Sequence, residues 1–143
     1  MKNLALFLIA IFLLSITLSS CGVIFGGAKY NATIIAREHP NANIYVNGNN
    51  IGQGTARGIY DRNEPLTVEL RQEGCENHSQ TYDKTFRTGN FILSVITWGL
   101  LGIAVDLASG AAYKPDDVSN PAIQKQDLDN FIFTTDYPGC PTE

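Results

Sequence analysis

The side chains able to do chemistry are few in this sequence, and their spacing rules out more than it suggests. There are three cysteines and two histidines among 143 residues: Cys21, Cys75 and Cys140, His39 and His78. A zinc site needs close nitrogen and sulfur ligands, usually as C-x-x-C or H-x-x-x-H, and neither spacing occurs. Hydrolytic chemistry would announce itself through G-x-S-x-G, H-E-x-x-H or a cysteine with a partner histidine, none of which stands here in a suitable context. His39 precedes a proline in a turn-forming stretch and His78 lies among polar residues, so neither reads as a poised base. Asp116, Asp117, Asp127 and Asp129 lack the alternating acid and glycine spacing of a calcium loop, and a solvated acidic face accounts for them. Gly52-Gln53-Gly54 cannot cradle a phosphate, because residues 55–60 show no helical period and hence no helix N-terminus. The expectation is a protein with no catalytic residues, no metal and no cofactor.

The remaining reactive residue is Cys21, and its meaning depends on what precedes it. Lys2 leads into an apolar run over residues 4–14, and small residues follow up to the cysteine. A basic start, about 11 apolar residues and a small-residue cut site describe a secretory signal; a spanning helix needs roughly 20. The tetrad Leu18-Ser19-Ser20-Cys21 resembles the bacterial lipobox. That resemblance implies cleavage of residues 1–20, acylation of Cys21 and attachment to a membrane through the lipid. An ordinary signal peptide with a cysteine at the cut is the plainer alternative. Gly22 stands where an aspartate would favour retention in the inner membrane of lipoproteins, so the same resemblance favours the outer membrane. Residues 21–28, small and glycine-rich, would form the lipidated tether.

In an oxidising compartment Cys75 and Cys140 form an even pair, and a disulfide between them is expected, closing a loop of about 65 residues. Without Lys2 the basic count falls from 10 to 9 against 14 acidic side chains, a net charge of −5. No cluster of Lys or Arg offsets it, which argues against nucleic acid as a partner, and none is expected.

The elements that must position these residues are mostly strands. Residues 30–37 are rich in β-branched side chains and alternate in their second half. Residues 42–47 place Ala42, Ile44 and Val46 on one face, and Asn47-Gly48 opens a turn stretch running to Thr55. Leu66, Val68 and Leu70 alternate inward over residues 66–71, and residues 81–87 alternate again. A short run at 131–134 is suited to close the sheet. Tyr45, Tyr60 and Tyr82, if exposed, could offer a sugar-stacking face, although single exposed aromatics need no such explanation. The pattern Pro40-Asn41-Ala42-x-Ile44-x-Val46-Asn47-Gly48-x-x-Ile51-Gly52-x-Gly54-Thr55, followed by a strand ending Glu73-Gly74-Cys75, resembles the PEGA domain, a small β-sandwich of bacterial surface and periplasmic proteins. It departs from that pattern in a turn one residue short, in Ala56 where proline is usual, and in Cys75 where an aromatic is usual. The resemblance spans residues 29–88, implies an extracytoplasmic binding or scaffolding module, and brings no catalytic residues.

Residues 89–113 form the second informative stretch: apolar, glycine-rich and helical in period, with Asn90 as the expected N-cap. Leu93, Ile96, Leu100, Ile103 and Leu107 make one seam. Gly99, Gly102, Asp106 and Ser109 make a neighbouring stripe of small residues that another backbone could approach. The spacing Gly99-x-x-Gly102-x-x-x-Asp106-x-x-Ser109-Gly110-Ala111 also resembles a segment of small PEGA-like lipoproteins. The uninterrupted apolar part is about 22 Å long as a helix, short of a 30 Å bilayer core. A helix or helical hairpin, hinged near Ser109-Gly110 and packed on protein or lying in the membrane surface, is therefore expected over a spanning one. Residues 114–143 turn polar and form a tail with the closing strand.

The fold expected is α+β and mainly β: a small antiparallel sandwich-like module with one apolar helix or helical hairpin, after a cleaved signal peptide. Its expected role is that of a membrane-anchored, non-catalytic envelope protein whose partners are the membrane and an envelope polymer or another envelope protein. A membrane-active or pore-associated accessory protein using residues 91–112 is the alternative, and an envelope hydrolase a distant third.

Overall fold

The computed structural model describes residues 27–141. Residues 1–20, Cys21 and most of the 21–28 tether lie outside the described residues. The fold is α+β and mainly β, as the alternation predicts. Strands β1 (Lys29–Ala36), β4 (Thr55–Asp61), β9 (Ile123–Lys125) and β10 (Asn130–Thr135) form one sheet in the order β4-β1-β10-β9. A second sheet runs β3-β2-β5-β6, with β2 Asn43–Val46, β3 Asn49–Gln53, β5 Leu66–Arg71 and β6 His78–Tyr82. A small pair, β7 (Lys84–Phe86) and β8 (Tyr113–Pro115), brackets the one described helix, α1 (Thr88–Ser109).

Alternation dictates which residues the two sheets share. Tyr30, Ala32 and Ile34 of β1 and Phe131 and Phe133 of β10 face Ile44, Val46, Val68, Leu70 and Tyr82 in one continuous core. Period two is what lets one face of each strand be apolar while the other meets water. Leu66, Val68 and Leu70 are all buried, as their spacing requires. Tyr82 is buried as well, edge-on to Phe133 at 5.2 Å, with its hydroxyl donating to Thr134 O at 2.9 Å. It offers no exposed stacking face: the phenol has found the hydrogen-bond partner that burial demands.

Several boundaries differ from the sequence reading, each for a tertiary reason. Asn47 and Gly48 do take positive φ, 49° and 83°, the pairing that a two-residue hairpin turn needs. The stretch after them is no open turn, however: Asn49–Gln53 pairs back on β2. Gly54 then carries the chain across to the other sheet. Its N–H donates to Ala42 O, its carbonyl accepts from Ala36, and a Cβ there would sit 2.4 Å from Pro40 O. Thr55–Asp61 becomes a strand because β1 offers it a full antiparallel ladder. The 81–87 run is split at Asp83 between two sheets. The closing strand β10 is central rather than peripheral: it runs parallel to β1, from Asn31↔Asn130 to Ala36↔Thr135, while β9 takes the edge. All other strand pairs are antiparallel.

The helix departs furthest. It starts at Thr88 with Arg87 at the N-cap, three residues before the expected cap Asn90, because the β7–β8 ladder extends one step to Arg87, whose N–H donates to Ala112 O at 2.8 Å. A straight helix of 22 residues would hold its ends about 33 Å apart. Here the ends are tied by Phe86↔Tyr113 and by the Arg87–Ala112 bond. The chain must double back, and it does so at Gly99, the only non-helical residue within α1 (φ 58°, ψ −145°). The helical hairpin thus has its hinge at Gly99, not near Ser109-Gly110. Gly110 is instead the left-handed C-cap, its N–H bonded to Leu107 O. Among the described residues no helix is long and apolar enough to cross a membrane.

Candidate functional site

The hairpin and the end of the sandwich it leaves from hold most of the unusual chemistry of the molecule. At its base lie buried charges that no local pattern announces. Arg62, in the turn after β4, is about 1% exposed. Its backbone N–H donates to Ala28 O at 2.9 Å, its Nε to Lys29 O at 3.1 Å, and its Nη2 to Leu128 O at 3.1 Å and Asp129 Oδ1 at 2.6 Å. The guanidinium lies over the rings of Tyr30 and Phe131, 5.8 and 6.0 Å from their centroids. A planar, weakly hydrated cation suits such a site better than an ammonium would. Burial lowers its pKa and the nearby Arg87 adds to that, while Asp129 opposes both. The guanidinium starts so high that it stays charged.

Arg87 and Asp106 complete the group, and both are buried. Burial likewise lowers the Arg87 pKa, and Asp129 and Asp106 counter it. Two cations and two carboxylates therefore balance one another at the hairpin base, Arg62, Arg87 and Asp106 buried and Asp129 half exposed, and such balance is the condition for burying charge at tolerable cost. Burial and the neighbouring Tyr60 push the Tyr30 phenol far up. Phe86 closes the base on its apolar side, with Phe91 at 4.8 Å and Tyr113 at 5.8 Å between ring centroids.

The predicted contact stripe divides at the kink. Gly102 and Asp106 are buried and Ser109 is half-buried, its Oγ donating to Asp106 O. Gly99 is exposed, with nothing within 4 Å of where a Cβ would stand. It belongs to the turn and not to the contact face, because leaving helical φ/ψ rotates it off the stripe. Arg62 and Arg87 are the residues that sequence reasoning missed. A single arginine in a polar turn reads as surface, and only the parallel β1–β10 pairing brings Lys29, Leu128 and Asp129 around it.

The opposite end carries the disulfide. Cys75 and Cys140 are bonded, with Cα atoms 5.3 Å apart. The ring of Tyr137 lies between the two histidines, edge-on to His39 at 5.2 Å and tilted against His78 at 6.3 Å. His39 is buried there as packing. Among the described residues no group of three or more His, Cys, Asp or Glu is placed to hold a metal ion. Of the tyrosines expected at the surface, Tyr45 is half-buried beneath the guanidinium of Arg71 at 4.1 Å, and Tyr60 is half-buried beside Tyr30.

No family model, curated protein or solved structure matches this chain. Fold and site together define a disulfide-bonded, mainly β domain that carries an apolar helical hairpin on a charged base.

Proposed function

We propose that this chain is a lipid-anchored, non-catalytic module of the bacterial cell envelope. Residues 1–20 are its cleaved signal, Cys21 its acylated N-terminus, and the outer membrane its place. The observation that carries the reading is the division of the cysteines. Cys75 and Cys140 are bonded to each other, which fits an oxidising compartment, and the third cysteine of the chain stands at the end of the signal-like run. Two or more acyl chains would hold the domain stably, each buried methylene contributing about 0.8 kcal/mol.

The sandwich then serves as a PEGA-like binding or scaffolding unit presented to an envelope polymer or another envelope protein. Both histidine rings lie against Tyr137, a packing role that supports scaffolding over catalysis. The negative net charge argues against a nucleic-acid partner. The test is metabolic labelling with palmitate in a bacterial host. The wild-type chain is expected to take label and to lose its first 20 residues, whereas Cys21→Ser takes none and keeps them. Label persisting in Cys21→Ser would overturn the anchor.

A further inference from the structure

The hairpin exposes apolar side chains where a water-facing hairpin would carry charge. Exposure is greatest around Gly99, with Ile96 74%, Leu101 79% and Leu100 85%, against 40–51% for Val95, Leu107, Val105 and Ile92 elsewhere on the arms. Between Thr88 and Ser109 there is no Lys or Arg, and the one carboxylate, Asp106, is buried. So many exposed large apolar side chains on one element mark an interaction site, and its location says with what.

The β4–β5 turn joins the hairpin to the chain's entry point. Arg62 N–H bonds Ala28 O at the start of the domain, and the next residue, Asn63, abuts the exit of the hairpin: a Cβ on Gly110 would lie 2.9 Å from Asn63 Cβ. Cys21 and Ala28 can be separated by at most about 25 Å of extended chain. A lipid on Cys21 would therefore keep this end of the domain within about 25 Å of the bilayer. Leu128, whose carbonyl accepts from Arg62, is exposed at the same end, and Val118 shares an open groove with Leu128 and Arg87.

We infer that the tip of the α1 hairpin inserts into the outer part of a lipid bilayer and forms a second anchor independent of the acyl chains. The placement of the tether in this argument rests on the acylation proposed above; the exposed tip does not. Each arm is about 16 Å long, enough for one leaflet and not two. The break in helical hydrogen bonding at Gly99 keeps the tip from the bilayer centre, where irregular backbone finds no partner. Insertion is thus shallow and driven by apolar burial rather than by charge. It fixes the orientation of the sandwich, with the disulfide end pointing away from the lipid.

The test uses the chain from Gly22 onward, which carries no signal and no lipid but retains every described strand. Trp98, the one tryptophan of the chain, sits beside the hinge and serves as probe. The chain is expected to float with phosphatidylcholine vesicles, equally at low and high salt, with Trp98 emission shifted to the blue and quenched most by lipids brominated high on the acyl chain. Leu100→Asp with Leu101→Asp should lower the partition coefficient by about a hundredfold and leave the melting temperature unchanged, since both side chains are exposed. A chain that stays in the supernatant with unmoved emission overturns the inference. So does a soluble dimer that the aspartates dissociate, because a second copy would then be what covers the tip. Palmitate labelling of the full chain is read separately: labelling without flotation of the lipid-free chain sinks the hairpin anchor alone, and flotation without labelling sinks the acyl anchor alone.

Discussion

Where β1 ends, Cys75 is bonded to Cys140 and the rings of His39, Tyr137 and His78 pack beside the bond. Where β1 begins, about 26 Å away along an eight-residue strand, cohesion comes from Arg62, Arg87, Asp106 and Asp129, and an apolar hairpin projects from them. The first end is closed by a covalent bond that acts chiefly through the unfolded chain. The second is closed by charges, three of them buried and Asp129 half exposed, whose attraction weakens where water reaches them. Local stability across a domain follows such differences: the disulfide end should open only with global unfolding, and the hairpin end before it.

The largest effect expected is at the disulfide. Its two cysteines are separated by 65 residues, and in the chain-entropy model opening such a loop costs about 4 kcal/mol. Cys75→Ala with Cys140→Ala should lower the melting temperature by roughly 15 °C, while vesicle binding at temperatures where the domain stays folded is unchanged. If binding falls with stability, the two ends are not separable.

Arg62→Ala comes next, at about 2 kcal/mol. It strips hydrogen bonds from Lys29 O and Leu128 O, but Asp129 is half exposed and water can take back its charge, so the cost stays below that of breaking a fully buried pair. Amide exchange should quicken at Lys29, Asn130 and the hairpin base, with little change at Arg71 and Tyr137. Equal quickening at both ends would show one cooperative unit and dissolve the contrast.

The smallest effect is at the hinge. Gly99→Ala meets no atom within 4 Å, so only the backbone conformation is penalised, φ 58° with ψ −145° being one that an L side chain rarely adopts, by about 1–2 kcal/mol. Circular dichroism should show a slightly lower melting temperature with the disulfide end undisturbed. A more stable, more helical protein would mean that the reversal at Gly99 is not the favoured conformation.

How far these features could be read beforehand varies with the range of the force behind them. Alternation placed Leu66, Val68 and Leu70 inward, and Asn47-Gly48 marked its turn, because pleat and positive φ are local properties. The helical period within residues 89–113 was legible too, although the helix ends at Ser109 and Tyr113 already belongs to β8. Its hinge was not: Gly99 and Gly110 both suit a break, and only the ties between Phe86 and Tyr113 and between Arg87 and Ala112 choose the first as the reversal. Strand β4 lacked a pattern of its own and exists because β1 pairs with it along its length.

By itself the sequence determined the mainly β class, the inward faces of its clearest strands, the apolar character of the hairpin and the even cysteine pair, since composition and short periods carry that information. Tertiary structure alone decided that β10 lies parallel beside β1, that Arg62 is enclosed by Lys29, Leu128 and Asp129, and that hairpin and tether leave from one end. These are contacts between residues up to about a hundred positions apart, chosen by packing two sheets on a shared core, and no window along the chain contains both partners.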